Sequence, residues 1–207
     1  MQQALFGRGS PRFDGTLPAP DRFELGGGAW VERQAGWLDG HEQVFLELDR
    51  QGPGGVAWQS QRRMMYEREV DVPRLVARAP STGVIGDLLG RLGAALSRRY
   101  RRSFENVSLA KYRSGQDSVA YHGDKMGRLV DDCIVATVSV GAPRRFCLRP
   151  SGGGAALAFD LGWGDLLVMG GNCQRTWQHA IPKRAHADPR ISIMFRQPVP
   201  ESALLQR

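Results

Sequence analysis

The residues best able to do chemistry crowd into one short stretch. Ala120 to Gly127 reads AYHGDKMG, with His122 and Asp124 two positions apart. On an extended chain that spacing sends both side chains to one face, where they can share an ion. A second histidine, His179, stands in the β-prone segment RTWQHAIP. Two imidazoles and one carboxylate on one face of an octahedral metal form the donor set of non-haem Fe(II) sites, and they leave three positions open for a chelating 2-oxo acid and O2. The His-x-Asp pair alone is a weak signal, because a chain with four histidines can show one by chance. His41, in GHEQ, and His186, in RAHADP, have no partner at ligand spacing and stay outside the candidate site.

A second pattern lies near the C-terminus. The segment PRISIMFR puts Arg190 and Arg196 six residues apart, hence on one face of a strand, with Ser192 and Met194 between them. Ile191, Ile193 and Phe195 then share the opposite face and can enter a core. A half-buried arginine is costly unless it meets an anion, and a dicarboxylic 2-oxo acid offers two carboxylates suited to a guanidinium fork. Two surface arginines on a strand are the plain alternative.

These residues need a scaffold of short strands. After Ser103, β-prone segments separated by Gly, Pro, Asn or Asp recur at about 106–112, 118–122, 133–140, 144–149, 155–160, 164–169, 174–181 and 190–196. The expectation is an α+β fold in which about eight antiparallel strands form a double-stranded β-helix, or jelly roll, buttressed by N-terminal helices. An immunoglobulin-like sandwich is the competing architecture. Ahead of the strands, a helix is expected between Ser81 and Tyr100, where Ile85, Leu88, Leu89, Leu92 and Leu96 recur at spacings of three and four. Arg98, Arg99, Arg101 and Arg102 favour its C-terminus through the macrodipole and could also face phosphates. Residues 29–49 suggest a strand or bend followed by a short helix. Residues 56–73 mix aromatics, methionines and arginines without clean periodicity and suggest an ordered loop or hairpin. The organisation expected is a flexible arm at 1–28, helical support at 29–103 and a core at 104–207, all within one compact domain.

Composition narrows the class. The 207 residues carry 28 Lys and Arg against 21 Asp and Glu, a net charge of +7, which suits a protein that meets phosphates. Three cysteines without a CxxC pair argue against a disulfide framework or a cysteine-built zinc site. No apolar run approaches the ~20 residues needed to span a bilayer, so no membrane is expected and a cytoplasmic protein is.

Taken in order, YRSG, HGD, WGDLLVMGG, the isolated His179 and RISIMFR resemble the AlkB family of Fe(II)- and 2-oxoglutarate-dependent nucleic-acid dioxygenases. The resemblance covers about residues 104 to 197, with a weaker echo near 58–66. It implies that His122, Asp124 and His179 bind iron, and that Tyr112, Arg190, Ser192 and Arg196 hold 2-oxoglutarate. The family's last strand has the form RxNxTFR, so Ser192 replaces an asparagine. Ala110 replaces another, two residues before the tyrosine, and Met126 stands where a second acidic residue often follows the HxD motif. Cofactor contacts and base preference are the properties that these departures affect.

The implied reaction is oxidative demethylation of alkylated bases in DNA, of the N-methyl adenine or cytosine type, releasing formaldehyde, succinate and CO2. Iron, 2-oxoglutarate and O2 are the implied cofactors, and the chain is expected to act as a monomer on single-stranded or base-flipped DNA. In the stretch WQSQRRMMY, Trp58 or Tyr66 would stack on the extruded base and Arg62 or Arg63 would hold phosphate, as a lid. Ordinary packing is the alternative for that stretch. The same oxidation on RNA or another substrate is the alternative within enzymes, and a non-catalytic metal-binding jelly-roll module the alternative outside them.

Overall fold

The computed structural model describes residues 11–13, 20–65, 68–130 and 132–199, with backbone alone at 61–65, 68–71, 125 and 128. Its elements in chain order are β1 (Arg12–Phe13), β2 (Asp21–Gly26), β3 (Ala29–Gln34), β4 (Leu38–Asp39), α1 (His41–Asp49), β5 (Gln59–Met65), β6 (Arg68–Arg78), α2 (Gly83–Tyr100), β7 (Asn106–Tyr112), β8 (Val119–His122), β9 (Val135–Gly141), β10 (Arg144–Pro150), β11 (Leu157–Leu161), β12 (Leu166–Gly171), α3 (Cys173–Thr176), β13 (Trp177–Ile181) and β14 (Arg190–Arg196).

Eight strands of the C-terminal half make the jelly roll. One sheet runs β11-β10-β13-β8, and the other contains β12-β9-β14-β7 at its centre, every pairing antiparallel. Between the two sheets lie Tyr112, Phe146, Leu148, Leu161, Leu167 and Met169, contributed at alternate positions along their strands. The outer face of the large sheet is covered by α1 and α2. There Leu88, Leu92 and Leu96 of α2 meet Leu109, Ile193 and Phe195, so the leucine spacing that marks the helix also marks its buried side.

The N-terminal half does more than the sequence suggests. It extends the large sheet at both edges, giving the order β2-β3-β12-β9-β14-β7-β6-β5. Residues 21–26, expected within a flexible arm, form an edge strand against β3. Residues 29–103, expected as helical support, carry strands as well as helices. Such pairings join positions more than 100 residues apart, as in Val168 with Glu32, and no local pattern encodes them. Residues 1–10 and 14–19 of the expected arm lie outside the described residues. Among the described residues no helix is long and apolar enough to cross a membrane.

Candidate metal centre

His122 ends β8 and faces His179 on β13, the two being directly paired in the sheet. Asp124 follows His122 by two residues on extended backbone, and its Oδ1 lies 3.9 Å from the Nε2 of each histidine. One ligand atom from each of the three falls within 4.8 Å of the others, which is the arrangement that a single bound cation requires. The neighbours fix these side chains. The His122 Nδ1 lies 2.8 Å from the Ala120 carbonyl, which favours the tautomer that makes Nε2 the ligating nitrogen. The His179 ring stacks on Phe146 at 5.5 Å and 11°. Burial, opposed by Asp124, pushes the His179 pKa down to about 3, so the imidazole is neutral and ligand-competent at neutral pH. Burial also raises Asp124, but Arg196, His179 and His122 more than offset it and hold the carboxyl below its ordinary value.

Two supports come from outside the ligand strands. Arg196 donates through Nε to Asp124 Oδ2 at 2.8 Å and through Nη1 to Ser108 Oγ at 2.7 Å. Gln174 of α3 accepts from the Asp124 backbone N–H at 3.0 Å. The same residue explains the glycine between the ligands: a Cβ on Gly123 would come 2.7 Å from the Gln174 carbonyl, closer than real side chains come.

At the other end of β14, Arg190 is fully buried. It donates to Ser139 Oγ at 2.6 Å, while its Nε and Nη1 have no hydrogen-bond partner and it makes no ion pair among the described residues. Burial, with a further contribution from Arg144, pushes its pKa down to about 10, so it remains a cation at neutral pH. A buried cation without an ion-pair partner is costly, and its open nitrogens suit a carboxylate. Tyr112 is opposite Arg190 in the sheet, and its hydroxyl accepts from Arg74 Nη1 at 3.0 Å. Gly141, at φ +85°, lets β9 end against the Pro189 carbonyl, 2.6 Å from where a Cβ would sit, immediately before Arg190. A cavity of about 1460 Å3 is lined among others by Arg74, Tyr112, His122, Asp124, His179, Ser192 and Arg196.

The structure thus brings His122, Asp124, His179 and Arg196 together, with Tyr112, Arg190 and Ser192 deeper in the barrel. It does not bring Trp58 to the centre. That indole donates to the Leu48 carbonyl at 3.2 Å and packs against the helical core, the arrangement of the ordinary-packing alternative. The backbone of residues 59–78 forms a hairpin of β5 and β6. The Arg63 side chain and all of Tyr66 lie outside the described residues. Met126, which departs from the family pattern, lines the cavity, and Ala110 and Ser192, the other two departures, are directly opposite one another across β7 and β14. Sequence reasoning missed Arg74, Arg144 and Gln174. Arg144 carried a usable signal: it shares alternation with Phe146 and Leu148, both of which point inward.

The sequence pattern of the 2OG-Fe(II) oxygenase superfamily matches residues 42–196. Bovine alpha-ketoglutarate-dependent dioxygenase alkB homolog 3 is 36% identical over 109 residues, which cover 48% of this chain and 38% of that protein. Bovine DNA oxidative demethylase ALKBH2 is 31% identical over 184 residues, covering 77% of this chain and 65% of its own length. The chain therefore spans less than half of the alkB homolog 3 proteins it matches. Among solved structures, a Trichoplax adhaerens prolyl hydroxylase in complex with a hypoxia inducible factor peptide shares the fold, with a TM-score of 0.54 and 11% identity over 72% of this chain and 74% of that one.

Proposed function

Because the chain belongs to the 2OG-Fe(II) oxygenase superfamily, and within it to the AlkB family, we propose that it is a dioxygenase that demethylates alkylated nucleobases, with N-methyl adenine or cytosine in DNA as its substrates. The observation that carries this reading is the His122–Asp124–His179 cluster, set in one cavity with Tyr112 and Ser192, while a fully buried Arg190 with open nitrogens stands opposite Tyr112 in the sheet. Two imidazoles and one carboxylate fit Fe(II), and an orphaned guanidinium fits the far carboxylate of a 2-oxo diacid.

When bound, Fe(II) with 2-oxoglutarate and O2 supplies the oxidation, releasing succinate and CO2 and placing one oxygen atom in the C–H bond of the methyl group. The chain's own residues place the reactants. His122, Asp124 and His179 would hold the metal, and Arg196 would keep the Asp124 carboxylate ionised and turned toward it. Arg190, Tyr112 and Ser192 would hold the 2-oxo diacid. The hydroxymethyl group on the base nitrogen then loses formaldehyde unaided, its hydroxyl proton leaving as the C–N bond breaks, so no nucleophilic side chain is needed. The base must leave its stack to enter the cavity, which Gln59 of β5 and Arg74 and Val76 of β6 help to line, and Arg63 and Tyr66 would be the phosphate and base contacts. Basic composition supports a nucleic-acid partner.

The test supplies Fe(II), 2-oxoglutarate and ascorbate with methylated and unmethylated oligonucleotides, in DNA and RNA forms. Formaldehyde and succinate released in equal amounts from methylated DNA alone bear the proposal out. Release from RNA alone moves the substrate class, and no release from any methylated oligonucleotide overturns it.

A further inference from the structure

Tyr112 is surrounded by cations. Arg74 donates to its hydroxyl, and the guanidinium carbons of Arg144 and Arg190 each lie 5.6 Å from its ring centroid, so those two charges are at most about 11 Å apart. Arg144 and Arg190 are both fully buried. Neither forms an ion pair among the described residues, Asp117 and Asp165 acting on Arg144 and Arg190 only from beyond ion-pair range, although two like charges out of water repel and each is costly to bury. The nearest acid on the β7–β8 turn, Asp117, is already engaged by Arg113 through two charged hydrogen bonds of 2.8 Å.

Arg144 is held differently from Arg190. Its Nη1 donates to the Ser114 carbonyl at 2.8 Å, and its Nη2 donates to the carbonyls of Asp117 at 2.8 Å and Pro182 at 3.1 Å. Only its Nε lacks a partner. The guanidinium is therefore locked by three carbonyls, two from the β7–β8 turn and one from the end of β13, and it brings fixed positive charge rather than an open fork. Carbonyls satisfy its protons without neutralising its charge. A fold that needed only to tie these segments together could use a neutral donor, and would avoid placing a second cation beside Arg190.

We propose that Arg144 is a positioning residue that sets co-substrate selectivity: its fixed charge reinforces Arg190, so that the pocket strongly favours a 2-oxo acid carrying a second, distal carboxylate. This rests on the reading of the cavity as an oxo-acid site. A ligand with the metal-binding 2-oxo acid end but no distal carboxylate gains nothing from Arg144, whereas a diacid gains in proportion to the field at its far end.

The experiment uses the full chain loaded with Mn(II) under anaerobic conditions, titrated calorimetrically with 2-oxoglutarate and with 2-oxobutyrate, which lacks the distal carboxylate. In Arg144→Met, affinity for 2-oxoglutarate should fall about tenfold or more while that for 2-oxobutyrate stays within about threefold, since only the diacid feels the missing charge. Arg144→Lys keeps the charge and gives up most of the carbonyl clamp, and should restore most of the discrimination between the two acids. Equal weakening for both ligands in Arg144→Met, or discrimination that Lys does not restore, would mean a merely structural clamp and overturns the inference. Because the ratio of the two affinities is read within one protein sample, partial destabilisation of a variant does not mimic the expected result. If the wild type binds neither acid, the oxo-acid site itself falls and takes the inference with it.

Discussion

The ligand triad and Arg190 occupy their places for opposite reasons, and their removal should have opposite consequences for the fold. Asp124 is tied to Arg196 and to the Gln174 side chain, and His179 is stacked on Phe146. Replacing His122, Asp124 or His179 with alanine should abolish succinate formation and bound iron while circular dichroism stays native; a variant that retains near-normal 2-oxoglutarate consumption would remove that residue from the ligand set. Arg190 instead carries a fully buried charge with no ion pair among the described residues, attracted by Asp165 only from beyond ion-pair range. Exchanging such a charge for an apolar side chain of similar length removes its desolvation penalty, whereas removing the partner of a bound carboxylate costs on the order of 2–5 kcal/mol of binding. Arg190→Met should therefore unfold at the same or a higher temperature than the wild type without co-substrate, and forgo the stabilisation that 2-oxoglutarate gives the wild type. A thermal melt with and without 2-oxoglutarate checks both. His122 with Asp124, and Arg190 with Arg196, were legible because short spacing on extended chain puts each pair on one face, and His179 because of its place in the order of the family's motifs. Arg74 and Gln174 were not, since they reach the site from β6 and α3, and no short-range pattern ties those elements to the metal.

Short elements held at close quarters set the precision of the site. The link between β8 and Asp124 passes so near α3 that Gly123 has no room for a Cβ beside the Gln174 carbonyl, and Gln174 itself holds the Asp124 N–H. Removing a hydrogen bond that orients a ligand typically costs 10–100-fold in metal affinity. Gln174→Ala should lower Mn(II) affinity within about that range, less than removal of Asp124 itself, with little change in Arg196 or its bond to Ser108. Unaltered metal affinity in Gln174→Ala would show that α3 does not position the ligand loop. At this scale the eight jelly-roll strands were readable from alternation and turn residues. Their positions shifted by only a few residues, except that the segment expected as a strand from 174 begins with the single turn of α3, and β13 starts at Trp177. The edge strand β2 was hidden, because its residues follow a Gly/Pro-rich stretch and their order comes from pairing with β3 rather than from their own pattern.

Across the whole molecule, the excess of basic residues is not spread uniformly in its effect. At the end of α2, Arg99 is paired with Glu32 at 3.5 Å and Arg102 with Asp132 at 3.1 Å, so two of the four arginines that could have met phosphate have local acidic partners. A phosphate must compete with those carboxylates. The backbone of the β5–β6 hairpin extends the large sheet at its edge, and the sequence of β5 is QSQRRMM. If that hairpin grips the backbone of the substrate strand, each arginine–phosphate pair removed should reduce the slope of log affinity against log salt by about 0.7 for a single strand. Arg63→Ala should therefore flatten the salt dependence of binding to a methylated single-stranded oligonucleotide by roughly that amount, while Arg102→Ala should leave the slope unchanged within error. Tyr66→Ala should weaken binding by about 1–3 kcal/mol with the slope intact, as expected when stacking rather than charge is taken away. Uncoupled 2-oxoglutarate turnover should survive in all three variants, since none touches the ligand triad. The deciding measurement is fluorescence anisotropy with a labelled oligonucleotide over a range of salt concentrations. Equal slopes for Arg63→Ala and wild type would place the nucleic-acid track away from the hairpin, and a flattened slope in Arg102→Ala would move it to the end of α2.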